Sequence, residues 1–116
     1  MASDKDKLVR DQPVGIPAEQ GPLAPYRGAQ PPAPQWFTDA VATPYETHFV
    51  ECEGVQIHYQ ACGDRTQPGL LLVHGNGAHA HWWTHVAATF AGQFRVVAVD
   101  LSGHGDSGHR DVYALE

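Results

Sequence analysis

The run Leu70-Leu71-Leu72-Val73 stops abruptly at His74-Gly75-Asn76-Gly77, and a tryptophan-bearing helical pattern follows. Apolar residues without alternation read as a buried strand covered on both faces. Gly75 and Gly77 let the backbone turn sharply and come close to whatever lies above the strand's end. Over residues 79–91 the positions Trp82, Trp83, Val86, Ala87 and Phe90 fall on one stripe at three-and-four spacing. That spacing predicts an amphipathic helix, with Gly92 as its C-cap. Phe94-Arg95-Val96-Val97-Ala98-Val99-Asp100 then reads as a second buried strand. Strand, helix and strand with short connections form a βαβ unit, so these strands should run parallel with a right-handed crossover. Open α/β sheets bind ligands beyond the carboxyl ends of their strands. The 74–77 turn and the Gly-rich stretch 101–110 both lie there.

Upstream, residues 46–52 and 55–62 read as an antiparallel hairpin. Val55, Ile57, Tyr59 and Ala61 alternate with Gln56, His58 and Gln60. Period two predicts one apolar face and one wet face, with His58 on the wet one. Glu53-Gly54 supplies a two-residue turn. In that register Cys52 faces Val55 and Cys62 faces Tyr45. The two sulfurs then lie roughly 20 Å apart along the ladder, far beyond disulfide reach. Two free thiols suit a reducing compartment.

Residues 1–44 hold eight of the nine prolines and read as a disordered or extended Pro-rich arm, residues 1–12 being the disordered start. Trp36-Phe37 is the one part of the arm with something to bury. That leaves residues 45–116 as the part that packs, a marginal size for covering both faces of an open sheet. The net charge of −6, with basic residues scattered, excludes a nucleic-acid partner, since phosphate binding needs a basic patch. No apolar run is long enough to span a membrane, and the charged start lacks the apolar core of a secretory signal. A cytoplasmic location is expected.

An antiparallel hairpin, a strand ending in His74-Gly75-Asn76-Gly77, an aromatic-bearing helix, a strand ending in Asp100, and then Gly103-His104-Gly105-Asp106-Ser107: together these resemble the N-terminal portion of the α/β-hydrolase fold. The branch they are similar to includes epoxide hydrolases, haloalkane dehalogenases and small esterases. The fold class the resemblance implies is α/β, with an antiparallel hairpin followed by a parallel βαβ unit, and incomplete. It implies that the backbone N–H of Asn76 is an oxyanion-hole donor, of the kind that stabilises the negative oxygen of an acyl-transfer intermediate. His74, Gly75, Gly77 and His104 would border the substrate pocket. The 103–107 loop reads as architecture, with Asp106 and Ser107 bonding neighbouring backbone.

The family pattern also calls for a nucleophile in Gly-x-Ser-x-Gly on a strand-to-helix turn, followed by an acid and a histidine. Ser3, Ser102 and Ser107 are the only serines, and none stands in such an elbow. Ser107 follows its strand by seven residues and lacks the second glycine. Gly105-Asp106-Ser107-Gly108 also resembles the nucleophile loop of trypsin-like proteases, but nothing else in the chain matches those barrels. His79, His81 and His85 have a spacing that metal sites use, yet they fit polar positions along an amphipathic helix better, and no metal or other cofactor is expected.

The reading is therefore an N-terminal fragment of a hydrolase of ester, lactone or epoxide-type substrates. It carries the oxyanion-hole loop without nucleophile, acid or catalytic histidine, and is inactive alone. A non-catalytic interaction module built on the same frame is the alternative. A small-molecule substrate is expected once the chain is completed. The expected partners are a second copy of the chain or the missing C-terminal half, because the edge of strand 94–100 would stand open.

Overall fold

A computed structural model describes residues 18–114. The chain divides into two units, Met1–Ala33 and Pro34–Glu116. In the described part of the first, 3-10 turns span Ala18–Gln20 and Ala24–Tyr26. The disordered start expected over residues 1–12 lies outside the described residues.

The second unit opens with helix α1, Gln35–Ala42, inside the segment expected to be extended. Pro34 caps it at φ −66° and ψ 151°. Gln35 bonds Asp39 one turn on at 2.7 Å. Phe37 and Trp36 bring their rings to His85, with centroids 5.5 and 6.4 Å away. Pro-rich composition governs the chain only up to Pro34; beyond it, a cap, an i,i+4 bond and two aromatic rings with something to pack on favour the helix.

Strands β1 (Glu46–Cys52) and β2 (Val55–Cys62) form the expected hairpin, with Cys52 opposite Val55. Glu53 and Gly54 both take positive φ, 51° and 79°, the signature of a type I′ turn whose twist matches the strands. Cys52 is exposed and Cys62 buried, both as free thiols, and burial pushes the Cys62 thiol up.

β3 (Gly69–Val73) and β4 (Arg95–Val99) pair in parallel, Val73 beside Val99, as the βαβ reading requires. The sheet order is β1-β2-β4-β3, and β2 pairs antiparallel with β4 from Tyr59↔Val99 to Cys62↔Val96. This overturns the expected open edge: β4 lies inside the sheet, and β1 and β3 are its edge strands among the described residues, β3 holding the parallel one. The sequence of strands does not dictate their order in space, because a crossover can place the later strand on either side.

The crossover begins as a 3-10 turn, Ala80–Trp83, and becomes helix α2 only at Thr84–Phe90. A 3-10 turn winds more tightly than an α-helix, so the expected stripe breaks, and Trp82 is 64% exposed.

One sheet face carries His58, Gln60, Cys62, Val96, Ala98, Leu70 and Leu72, as the registers require. His58 and Gln60 are buried there, so the expected wet face of β2 is the covered one. The other face carries Ile57, Tyr59, Val97, Val99, Leu71 and Val73, and it is the half-open one. Leu71 is 62% exposed, where burial on both faces was expected. At the far end of the sheet Glu46 of β1 takes ion pairs from Arg95 and Arg65. These two cations, Arg95 foremost, pull its carboxyl to about 2. No helix among the described residues is long and apolar enough to cross a membrane.

An unpaired, uncharged edge beside an apolar face favours association between copies. Sedimentation velocity is expected to show concentration-dependent association of the chain. Leu71→Lys, charging that edge, shifts it towards monomer while changing unfolding stability by no more than about 0.5 kcal/mol. A monomer at every concentration refutes the expectation.

Candidate active site

The parallel register leaves Val73 and Val99 side by side, so the chain leaves β3 and β4 at the same end of the sheet. His74 follows the first and Asp100 the second.

Beyond β3 the backbone closes a tight turn over residues 75–78, with Ala78 N–H bonded to Gly75 O at 3.2 Å. Only its third residue, Gly77, takes a positive φ, 73°. That is the type II pattern, which wants glycine at this position. Asn76 stands exposed at the tip, and among the described residues nothing accepts its backbone N–H. The base of the turn is buried: His74 is 5% exposed, Ala78 4% and Ala80 0%.

His74 folds across to the neighbouring strand. Its Nε2 accepts the N–H of Leu101 at 3.0 Å, and its Nδ1 lies 2.8 Å from Gly75 O. The ring is therefore neutral, with its proton on Nδ1. The His104 ring lies 4.9 Å from it, so two of the predicted pocket-loop residues do meet.

Asp100 is 1% exposed. Its carboxylate accepts three hydrogen bonds, from Ala80 N–H at 2.6 Å, Asp106 N–H at 2.9 Å and His58 Nδ1–H at 2.7 Å. Burial pushes this carboxyl up. The backbone donors of Ala80 and Asp106 and the His58 ring outweigh it and hold the carboxyl below the usual carboxylate range, as hydrogen bonds to the charged form do. Gly105, at φ 50°, passes so close that a Cβ there would overlap the carboxylate.

Ser107 is held from both sides. Its Oγ accepts His58 N–H at 2.8 Å and donates to Asp100 O at 2.7 Å. Gly108 N–H bonds Gln56 O at 2.8 Å, so the loop is fastened to β2 twice. This is the architectural role expected for the loop, and it leaves the Ser107 hydroxyl engaged rather than poised to attack. Of the three histidines of the metal-like spacing, His79 and His81 keep their ring centroids 5.7 Å apart with His81 bonded to Gln60, while His85 packs away from them on Phe37 and Trp36. Among the described residues His58, Asp100 and Asp106 bring ligand-type atoms within 4.8 Å of one another. The Asp100 oxygens there are already taken by N–H donors.

His58 is the residue that sequence reasoning missed. Alternation divides β2 into two faces without saying which is covered. The signal lay in the aspartate closing the apolar run Val96-Val97-Ala98-Val99, since a carboxylate in that place needs a partner from a neighbouring strand.

Residues 70–116 match the family model described as the alpha/beta hydrolase family. The chain is 37% identical over 70 residues to epoxide hydrolase 4 of Mus musculus, covering 58% of this chain and 20% of that protein. It is 36% identical over 72 residues to a haloalkane dehalogenase of Agrobacterium fabrum, covering 61% of this chain and 23% of that one. A crystal structure of a membrane phospholipase A superposes with a TM-score of 0.59 at 30% identity, over 81% of this chain and 27% of that chain. Residues 70–116 thus belong to the α/β-hydrolase family. The chain spans about a fifth to a quarter of the length of these relatives.

Ser107→Ala strands a buried N–H and a buried carbonyl. It is expected to cost about 1–3 kcal/mol of stability, read by urea unfolding. A loss under about 0.5 kcal/mol would mean that the hydroxyl holds nothing.

Proposed function

We propose that this chain supplies the N-terminal quarter of a hydrolase acting on ester, lactone or epoxide-type substrates, with the backbone N–H of Asn76 as one donor of its oxyanion hole. The observation that carries the reading is the free, exposed Asn76 N–H at the end of a parallel strand, on a turn whose base is buried. Family membership and the similarity to an epoxide hydrolase and a haloalkane dehalogenase support it. His74, Gly75, Gly77 and His104 border the pocket. The second donor of such a hole comes from the residue after the nucleophile. None of the three serines stands in a Gly-x-Ser-x-Gly elbow, so in this reading the nucleophile, acid and catalytic histidine come from outside residues 1–116, and these residues alone are inactive. The free thiols fit a cytoplasmic setting.

Two substitutions at one position test the donor, in the natural protein that carries these residues. Proline suits the second position of a type II turn and deletes the N–H, so Asn76→Pro is expected to lower kcat by about 10²–10³. Asn76→Ala keeps the N–H and is expected to stay within about tenfold of wild type. Equal losses in both would shift the role to the side chain; no loss in either removes Asn76 from the chemistry. Turnover of a chromogenic ester or an aryl epoxide by residues 1–116 alone would refute the division of labour. A natural protein whose intact mass corresponds to 116 residues, without turnover, would instead mark a binding module on the hydrolase frame.

A further inference from the structure

The turn that carries Asn76 is tethered at both ends, and both tethers run to consecutive residues. At its front, the His74 ring accepts Leu101 N–H. At its back, Ala80 N–H reaches Asp100 Oδ1. The bond from Ala78 N–H to Gly75 O closes the turn between them. The tip is exposed while His74, Ala78 and Ala80 beneath it are buried. The second Asp100 oxygen, Oδ2, accepts Asp106 N–H and His58 Nδ1–H. One carboxylate therefore holds two loops that are far apart in the chain.

We propose that Asp100 and His74 are positioning residues: together they clamp the Asn76 turn onto the exit of β4, and Asp100 fixes the 101–110 loop against it. The inference rests on the reading of the Asn76 N–H as an oxyanion donor and deepens it. Such a donor works only if it already waits where the charge will develop. A turn of exposed residues with two glycines has no rigidity of its own, so its position is set by what grips its ends.

Each tether depends on a protonation state. Asp100 grips three donors as a carboxylate, and a carboxylic acid offers fewer acceptor sites. His74 grips Leu101 N–H only while Nε2 is bare. The titratable groups facing these two residues are His58 from β2 and Asp106 from the loop, whose carboxylate lies within 4.8 Å of the ligand-type atoms of His58 and Asp100, and His104 beside His74. Asp100 is depressed in the folded chain. Its contribution is therefore complete above the ordinary aspartate range and is lost as pH falls through the depressed folded value.

The test is amide NMR on the uniformly ¹⁵N-labelled 116-residue chain, without substrate. On acidification, the Ala80 and Asp106 amides are expected to shift with one common midpoint, below the ordinary aspartate range. The hairpin amides of Val50 and Ile57 stay unmoved through it. In Asp100→Asn, exchange at Ala80 and Asp106 is expected to accelerate about tenfold or more, the order expected for a lost charged acceptor. In His74→Phe the same acceleration is expected at Leu101. The Asn76 resonance moves in both variants. Separate midpoints for Ala80 and Asp106, hairpin resonances melting at that same midpoint, or an Asn76 resonance unmoved in both folded variants would each overturn the clamp. Should either variant not fold, the wild-type titration decides. These readouts need no catalysis, so they survive if Asn76 proves not to be an oxyanion donor. The loss in Asn76→Pro likewise survives if the clamp fails.

Discussion

A carboxylate buried among strands is costly unless its charge is met by donors. Asp100 meets that condition with three of them, drawn from three parts of the chain. One comes from β2, one from the start of the 3-10 turn and one from the loop after β4. Satisfying this single charge forces those three parts into one arrangement at the end of the sheet. Ser107 then finds both a donor and an acceptor within reach. The absence of a Cβ at Gly105 lets the loop close over the carboxylate. The polar cluster thus ties β2, the 3-10 turn and the 101–110 loop together at one end of the sheet.

The two sheet faces differ in how far this chain completes them. The helices cover the face of Val96, Ala98, Leu70 and Leu72. The face of Leu71, Val73, Val97 and Val99 is apolar but left half-open. Burial of apolar area is the main favourable term in folding, and Leu71 and Val73 remain exposed on this face among the described residues. An apolar face beside a free parallel edge leaves room for further strands and helices to pack.

Local signals were legible wherever a local cause decides the structure. Glu53-Gly54 announced the hairpin, since few residue pairs tolerate two positive φ angles. The apolar runs announced parallel strands, and His74-Gly75-Asn76-Gly77 announced a turn at a strand's end. What could not be read was whatever depends on partners distant in sequence. Alternation in β2 revealed two faces, yet the burial of His58 follows from Asp100, more than forty positions later. The position of β4 between β2 and β3 follows from pairing preferences that no single strand carries. The helix Gln35–Ala42 was hidden because its packing partner, His85, lies on another element. That His74, Asn76 and His104 lie together beyond the strand ends was legible; the bonds that tether them there were not.

The arrangement separates two tasks along the chain. The position of the Asn76 amide is determined by bonds to β4, completed within residues 74–108, and it needs nothing from the free edge of β3. A strand pairing in parallel with that edge would nonetheless end beside the same turn, because parallel neighbours leave a sheet at the same end. A nucleophile at the end of such a strand would arrive next to an amide already in place. Preorganisation of this kind costs no reorganisation at the moment of reaction. It also explains why a polar cluster this well satisfied stands where the sequence shows no nucleophile. In the proposed reading its work is to hold the Asn76 amide in position, and a strand added at the open side of the sheet would bring the nucleophile to it.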